Sequence, residues 1–516
     1  MGGDVLHDSV GNFGRWQAIL SVLMALLKLP IAWFQLSILV LEAQPDSFWC
    51  VRTENNTIVN SDQDACYPTV DNQTVPCQSW EFNHSIFTST IVDEWHLVCD
   101  RSWFIPLTQA TFMLGVLLGN VLFGMAADRY GRKPPLLLGI AVQGIVGVAA
   151  AFVPWFPVFL VLRFVLALAT GGTMLTSFVI VMEIVGGSWR PTVSILYQIP
   201  FSLGIVFMAG VAFVLRDWRH FQLALGCVSM TFVLYWWFVP ESPRWLLAVG
   251  RHKKAAQILE RAAIQNGRDP ELVKRAIEEH RKKQLEEEVK HTEHAGILDL
   301  LRTPRLRTTT LALFFNWFVA GLAFFGMSQN VGALGGDLFI NITVAGLIGV
   351  PGILGAIYVV RIGRRKSILL SQLIAGAACL LLLTCPKGMF AGDWPRLGLS
   401  AISFITLSLY MPALYLFSGE LLPTVVRNAG MGAAGMCSRL GSVLAPFVKS
   451  MDEPWPYIIL GVAPLLGALF LSFLPETQGC PLPDTLEDGE AFGKRSTEDR
   501  QNCNYLQVPQ KESDAR

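Results

Sequence analysis

Twelve apolar runs of about 20 residues recur along the chain, and each is long enough to cross a bilayer core as a helix. Only 16% of the residues are charged, whereas a soluble domain usually carries about 25%. The first run, from about Trp16 to Leu41, is too long for a signal peptide, so we expect an uncleaved first span. The pattern predicts an all-α membrane protein with twelve transmembrane helices. The runs are centred near Leu27, Leu114, Ile145, Leu168, Phe207, Phe232, Phe318, Pro351, Ala377, Leu407, Gly435 and Leu465.

The first polar interruption, residues 42–103, is an acidic segment with ten acidic and two basic residues. Four cysteines in so short a loop predict two disulfides in an oxidising compartment, and three connectivities remain open. The cysteines are Cys50, Cys66, Cys77 and Cys99. Sequons in the same loop predict N-glycosylation. The sequons begin at Asn55, Asn72 and Asn83.

The second interruption, residues 240–305, is basic, with thirteen Lys and Arg between Arg251 and Arg305. We interpret it as a solvated linker between two helix bundles, with a nucleic-acid or partner site as the alternative. Lys and Arg in short loops mark the cytoplasmic side. We therefore place this linker, the basic turns DRYGRK and RIGRRK and both termini in the cytoplasm, and the acidic loop outside. The polar tail, residues 475–516, is predicted to be disordered.

The two halves of the chain repeat each other. Four features of the first half recur in the same order 232 to 237 residues later. The matched positions are Arg129 with Arg361, Arg163 with Arg396, Pro240 with Pro475, and the pair Glu183 and Arg190 with the pair Glu420 and Arg427. The repeat predicts two six-helix halves, residues 1–239 and 306–474, which is the layout of the major facilitator fold.

Repeated charges at the cytoplasmic helix ends suggest a mechanical role. Groups that pair there can hold the inner mouth shut and part when the halves rock, as alternating access requires. The alternative is positive-inside charge without a gating role, since exposed ion pairs are individually weak. The residues assigned to this gating network are Asp128, Arg132, Glu183, Arg190, Arg361, Glu420 and Arg427.

Five long motifs carry a resemblance to a known family. They are STIVDEWHLVCDRSW (89–103), GRKPPLLL (131–138), PESPRWLLAVGR (240–251), NVGALGGDLFIN (330–341) and SGELLPTVVRNAGMG (418–432). Together they resemble the organic cation, anion and zwitterion transporters of solute carrier family 22, over about residues 10–490. The resemblance implies a multi-pass plasma-membrane transporter of small organic ions, with a cavity between its two halves.

Two ionisable residues, Arg439 and Lys28, lie inside apolar runs, where a charge is costly unless it faces water or a partner. We predict that both line the cavity, and a buried carboxylate such as Glu183 is the alternative partner. In the resembled family, cation carriers tend to have aspartate at position 439, while anion and zwitterion carriers tend to have arginine. The surrounding SRLGS looks most like the carnitine-type zwitterion branch. A guanidinium can bind a substrate carboxylate in bidentate fashion.

An amine on the substrate would need other groups, and aromatic faces supply them through cation–π attraction. The aromatic candidates are Trp317, Phe324, Phe325, Tyr410, Tyr415 and Phe213, each with ordinary packing as the alternative. Family members often have tyrosines at positions 324 and 325, and the phenylalanines here lack the two hydroxyl groups that polar recognition there would need. Gln198 stands where the family often has a cavity glutamine. Anion carriers often have a lysine at the place of Gly352, so the resemblance weakens a pure-anion interpretation unless Lys28 substitutes for that lysine.

We therefore predict a carrier for a small zwitterion such as carnitine, betaine or a β-amino acid. An organic anion, an organic cation, or a non-transporting receptor on the same fold are the alternatives. We expect no enzyme, because the chain contains no H-E-x-x-H, nucleophile elbow or phosphate loop. No cofactor or metal is expected, and sodium or proton coupling is left open. The expected partners are the substrate and membrane lipid, without nucleic acid, in a monomer or alternatively an oligomer.

Overall fold

Twelve helices in the described part of the chain are long and apolar enough to cross a membrane, which confirms the predicted number of spans. The structure, a computed structural model, describes residues 9–45, 47–52, 57–58, 66–67, 69–70, 73–74, 77, 79–83, 85–187, 189–287, 300–330, 337–359, 363–385, 393–423, 425–478, 483 and 485–492. Spans 1 to 12 are Arg15–Leu41, Cys99–Tyr130, Lys133–Phe152, Phe156–Ile184, Trp189–Val214, Trp218–Phe238, Pro304–Asn330, Leu338–Tyr358, Arg364–Thr384, Trp394–Leu421, Ala429–Lys449 and Trp455–Ser472.

Spans 1 and 5 are interrupted near their middle. Pro30 and Pro200 lie in the first turn after these interruptions. Proline has no N–H to donate to the preceding turn, so the helix breaks before it. The breaks fall at Leu27 and at Tyr197–Gln198, inside segments that would otherwise be continuous. The component helices are Arg15–Leu26, Lys28–Leu36 and Ile38–Leu41 in span 1, and Trp189–Leu196 and Ile199–Val214 in span 5.

The chain forms two compact units. Unit 1 contains spans 1 to 6 and one end each of spans 7, 8 and 11, while unit 2 contains the rest of the second half. Unit 1 comprises Met1–Lys283, Ser328–Leu347 and Val443–Asp452, and unit 2 comprises Gln284–Met327, Ile348–Ser442 and Glu453–Arg516.

The acidic segment after span 1 contains short strands and two disulfides. The strands are Ser47–Arg52 (β1), Thr57–Ile58 (β2), Thr69–Val70 (β3), Gln73–Thr74 (β4) and Trp80–Asn83 (β5). They form an antiparallel sheet of order β2-β1-β5 and a separate β3-β4 pair. The disulfides join Cys50 to Cys77 and Cys66 to Cys99, one of the three connectivities left open. Asn83 is exposed at the end of β5, whereas Asn55 and Asn72 lie outside the described residues.

Residues 240–283 of the basic segment after span 6 belong to unit 1 and pack against it. The second helix of the segment buries Ala255 and Leu259 in a hydrophobic cluster that also contains Trp16 of span 1. Asn266, just after that helix, accepts from the backbone N–H of Trp16 through Oδ1 at 2.9 Å and donates to Gln17 Oε1 at 2.8 Å. The predicted solvated linker is therefore corrected, because one face of it is apolar and buried. Its helices are Pro243–Ala248, His252–Gln265 and Glu271–Glu287.

Part of the polar tail is ordered. The helix Leu486–Ala491 begins with a capping box, and its Glu490 carboxylate accepts the backbone N–H groups of Arg305 at 3.2 Å and Leu306 at 2.8 Å. The first N–H groups of a helix lack partners within the helix, and negative charge stabilises that end. The prediction of disorder throughout residues 475–516 is therefore wrong for this helix, which caps the start of span 7.

Candidate functional site

A cluster of charged side chains joins the ends of spans 2, 3 and 4 in unit 1. Arg132 donates to Glu183 Oε1 from Nε at 3.0 Å and from Nη2 at 2.8 Å, and to Asp128 Oδ1 from Nη1 at 2.6 Å. Its backbone N–H donates to Glu241 Oε1 at 2.7 Å. Arg132 and Glu183 have side chains 13% and 16% exposed, whereas Asp128 is 77% exposed. The contact with Glu183 is therefore the less screened of the two ion pairs.

Unit 2 contains the matching cluster. Arg364 donates to Glu420 Oε1 from Nη2 at 3.1 Å, and its backbone N–H donates to Glu476 Oε1 at 2.9 Å. Thr477 Oγ1 donates to the other Glu420 oxygen at 2.6 Å. Arg364, Glu420 and Glu476 thus repeat the roles of their counterparts in unit 1. Arg361, the residue assigned from the sequence, lies outside the described residues.

The last two assigned gating residues contact the backbone. Arg190 Nε donates to the Val185 carbonyl at 3.2 Å, and Arg427 Nε donates to the Leu422 carbonyl at 3.1 Å. Each arginine donates to the carbonyl five residues before it in the chain, so the repeat extends to this contact. The ion pairs of Arg132 and Arg364 each lie within one unit. They therefore brace helix ends inside each half, and a gating role stays a prediction.

Lys28 lies at the break in span 1 and is 5% exposed. Its Nζ lies 4.9 Å from the centroid of the Tyr197 ring, at the break in span 5. The Tyr197 hydroxyl in turn lies 2.6 Å from Ser177 Oγ. Gln198, the predicted cavity glutamine, is the half-buried neighbour of Tyr197. Two broken helices therefore bring a cation and an aromatic face together, and helix breaks of this kind often form binding sites in transporters.

Spans 7 and 11 cross closely on either side of Arg439. A Cβ atom at Gly441 would lie 2.1 Å from the Phe318 carbonyl oxygen, and one at Gly321 would lie 1.8 Å from the Ser438 carbonyl oxygen. Such distances admit only hydrogen, so both glycines are required for the contact. Arg439 lies on span 11 between the contact positions Ser438 and Gly441, and its side chain is half-buried. It lies close enough to Tyr415 to interact electrostatically.

The first half contains an equivalent crossing of spans 1 and 5. Gly204 precedes Gly441 by 237 residues, the same offset that separates Glu183 from Glu420. A Cβ atom at Gly204 would lie 2.9 Å from Ala32 Cβ and 3.1 Å from the carbonyl oxygen at position 29. Span 5 therefore packs on span 1 as span 11 packs on span 7.

The predicted aromatic residues of span 7 lie in two contact groups within unit 2. Trp317 is 1% exposed, donates to Ser418 Oγ at 2.9 Å, and has its ring centroid 4.5 Å from that of Tyr415. Tyr415 is 42% exposed. Further along, Phe324 stacks on Phe404 and meets the edge of Phe325. Tyr415 therefore presents more exposed ring surface than Trp317, which is fully packed.

The two other aromatic candidates lie elsewhere. Tyr410 is 1% exposed, donates to the Asn316 carbonyl at 2.7 Å and accepts from Gln372 at 3.0 Å, an arrangement typical of helix packing. Phe213 lies one residue before the end of span 5, is 56% exposed and meets Phe339 edge to face. Neither placement adds a free ring face beside Arg439.

Several residues of the two clusters were missed from the sequence. Glu241 and Glu476 belong to motifs already matched by the repeat, and Arg364 follows the glycine that both basic turns share. Aligning the turns on Gly131 and Gly363 would have found Arg364. The sequence contains no comparable signal for Tyr197, because its contact with Lys28 depends on the two helix breaks.

We expect Gly441→Ala to destabilise the protein and Gly435→Ala to leave it unchanged. The added methyl at 441 would meet the Phe318 carbonyl oxygen, and overpacking of this kind costs about 1–3 kcal/mol. Gly435 lies on the same helix with nothing within 4 Å of a Cβ, so alanine fits there. Thermal unfolding of detergent-solubilised protein measures the difference. Equal midpoints for the two variants would contradict the close crossing.

Comparison with solved structures identifies the fold. The xylose symporter XylE bound to 6-bromo-6-deoxy-D-glucose matches with a TM-score of 0.64 and 18% identity, over 92% of this chain and 98% of that chain. The inward-open form of XylE from E. coli matches with a TM-score of 0.63 and 17% identity, over 92% and 99%. The fold is that of the major facilitator superfamily, and the chain is a multi-pass membrane transporter of that type.

Sequence comparison identifies the family. Residues 54–487 match the sugar (and other) transporter family. An organic cation transporter protein of Drosophila melanogaster is 34% identical over 96% of both chains. Solute carrier family 22 member 3 of Rattus norvegicus is 34% identical over 94% of both. A beta-alanine transporter of Drosophila melanogaster is 36% identical over 81% of this chain and 70% of that protein. The chain belongs to the sugar (and other) transporter family and, within it, to solute carrier family 22.

Proposed function

We propose that the protein is a plasma-membrane carrier for a small zwitterion such as carnitine, betaine or a β-amino acid, with both termini in the cytoplasm. The observation that carries the proposal is Arg439, a half-buried cation inside span 11 beside its tight crossing with span 7. A charge at such a depth is costly unless it faces water or a counter-ion. A guanidinium binds a carboxylate through two parallel hydrogen bonds, so a substrate carboxylate meets this need.

The aromatic surroundings of Arg439 supply a place for the amine. Tyr415 is 42% exposed, and its ring stands at 89° to the fully packed ring of Trp317. A cation over an aromatic face gains about 0.5–2 kcal/mol, more when the contact is dry. Because Tyr415 lies close to Arg439, this part of unit 2 offers groups for both ends of an amino acid. Arg439 would repel a simple cation, which makes an organic cation the weaker alternative.

The relatives support substrates of this class without deciding between them. One relative is called a beta-alanine transporter, and others are called organic cation transporters. β-Alanine has a carboxylate and an amine a few bonds apart, the pairing that Arg439 and Tyr415 fit. Transport would proceed by alternating access, with the Arg132–Glu183 and Arg364–Glu420 pairs keeping each half rigid while it moves.

Uptake with matched competitors tests the proposal. Cells that express the protein are given labelled β-alanine, and the competitors are betaine, propionate, which lacks the amine, and propylamine, which lacks the carboxylate. We expect betaine to compete well and each one-ended analogue to compete at least about tenfold more weakly, since each forfeits one charged contact. Repeating the assay without sodium, and at two external pH values, determines the coupling ion.

The other substrate classes give different patterns. Strong competition by propylamine alone would identify a cation carrier, and strong competition by propionate alone would identify an anion carrier. Binding of the zwitterion without uptake, at normal surface expression, would identify a receptor. Each of these results overturns the proposal.

A further inference from the structure

A cavity of about 660 Å³ lies within unit 1, between the disulfide-bonded segment and the ends of spans 1, 2, 7 and 11. Small-molecule sites typically have volumes of about 300–1,000 Å³. Apolar side chains such as Leu39, Phe87 and Ile105 form much of its wall. The polar side chains on the wall are Glu42, Gln44, Asn83, Ser85, Thr90, Ser102, Gln329, Lys449 and Ser450.

The cavity wall carries an ion pair. Lys449 Nζ contacts Glu42 Oε1, with the two side chains 26% and 10% exposed. The buried guanidinium of Arg163, 1% exposed, also interacts electrostatically with Glu42 while it donates to Ser37 Oγ at 3.0 Å. Of the two cations near Glu42, only Lys449 lies on the cavity wall. A carboxylate in the cavity can therefore pair with the Lys449 ammonium.

A buried donor on the same wall points to the same ligand group. Gln329 is 1% exposed, and its Nε2 has no hydrogen-bond partner among the residues that the structure describes. Buried amide groups in folded proteins are nearly always paired. An unpaired N–H group on a cavity wall therefore indicates an acceptor that arrives with a ligand.

We propose that this cavity is a second binding site, separate from Arg439, for the carboxylate end of a small organic ion. The carboxylate accepts from Gln329 Nε2 and from Lys449 Nζ, while the amine of a zwitterion takes up the Glu42 oxygen that Lys449 leaves. The ligand class rests on the proposed function, but the carboxylate preference rests on Gln329 and Lys449 alone. Binding here would raise the local concentration of the ion at the ends of spans 1, 2, 7 and 11 before it moves deeper into the transporter.

Binding of labelled propionate and labelled β-alanine to the purified full-length protein tests the site. Arg439→Ala serves as the background, because it removes the proposed transport site and leaves this cavity intact. We expect Arg439→Ala to retain saturable binding of both probes. Adding Gln329→Leu or Lys449→Met should weaken that binding about tenfold, equivalent to about 1.4 kcal/mol. Lys253→Met, which removes an exposed lysine from the linker, is the matched control and should change nothing.

Each outcome either supports the second binding site or overturns it. Absence of saturable binding in the Arg439→Ala background overturns the second site, as does binding that Gln329→Leu and Lys449→Met both leave unchanged. Thermal unfolding midpoints of the variants show whether any loss comes from misfolding, and Gln329→Glu, which keeps the shape but repels a carboxylate, should weaken binding in the same way. If β-alanine uptake fails but propionate binding follows this pattern, the proposed function is wrong and the cavity site stands.

Discussion

Replacing Arg439 with alanine is expected to abolish zwitterion uptake while the protein still reaches the cell surface. The substitution removes the only charge between Ala429 and Val448, so it relieves a burial cost and should not harm folding. It also removes both hydrogen bonds to a substrate carboxylate. A charge-assisted pair of this kind corresponds to at least about 3 kcal/mol, or more than a hundredfold in uptake. Initial uptake rate divided by surface-biotinylated protein is the measurement.

Arg439→Lys separates charge from geometry in the same assay. Lysine keeps the positive charge but cannot form the planar two-bond contact, so uptake should fall by about tenfold and competition by zwitterions should persist. Unchanged uptake in the alanine variant would make Arg439 a structural residue. Loss of surface protein in both variants would assign it to folding.

Reversing the Arg132–Glu183 pair is expected to produce the second-largest effect. Arg132→Glu or Glu183→Arg alone places like charges together where both side chains are less than a fifth exposed. Breaking a buried pair costs about 3–5 kcal/mol, and we expect about 2–3 kcal/mol at this partly exposed site. Uptake per surface molecule and the unfolding midpoint should both fall in each single variant, and the double exchange should recover a substantial part of both.

Asp128→Asn is the matched control for the exchange. Asp128 also contacts Arg132, but it is 77% exposed, so its loss should cost less than about 1 kcal/mol. If the double exchange is as impaired as the single variants, the contacts to Glu241 and the helix ends matter more than the pair itself. If the single variants behave as wild type, the cluster has no bracing role.

The spans were predictable because apolar runs of about 20 residues partition into the bilayer core. The repeat was predictable because matching motifs recur at a nearly constant offset along the chain. The packed linker was readable in principle, since Ala255, Leu259 and Ala262 follow helical spacing within a charged segment. High overall charge hid that apolar stripe. Disulfide pairing and the partner of Lys28 could not be predicted, because both depend on distances between segments far apart in the chain.

The two glycine crossings have a consequence for how a substrate would be oriented. At the offset that matches Gly204 to Gly441, the position of Arg439 corresponds to Ser202. The repeat therefore builds the same crossing twice but places its cations on different helices: Arg439 belongs to span 11, whereas Lys28 belongs to span 1 and lies beside Tyr197 of span 5. The two halves are chemically unequal, so a molecule with unlike ends meets a different set of partners at each crossing.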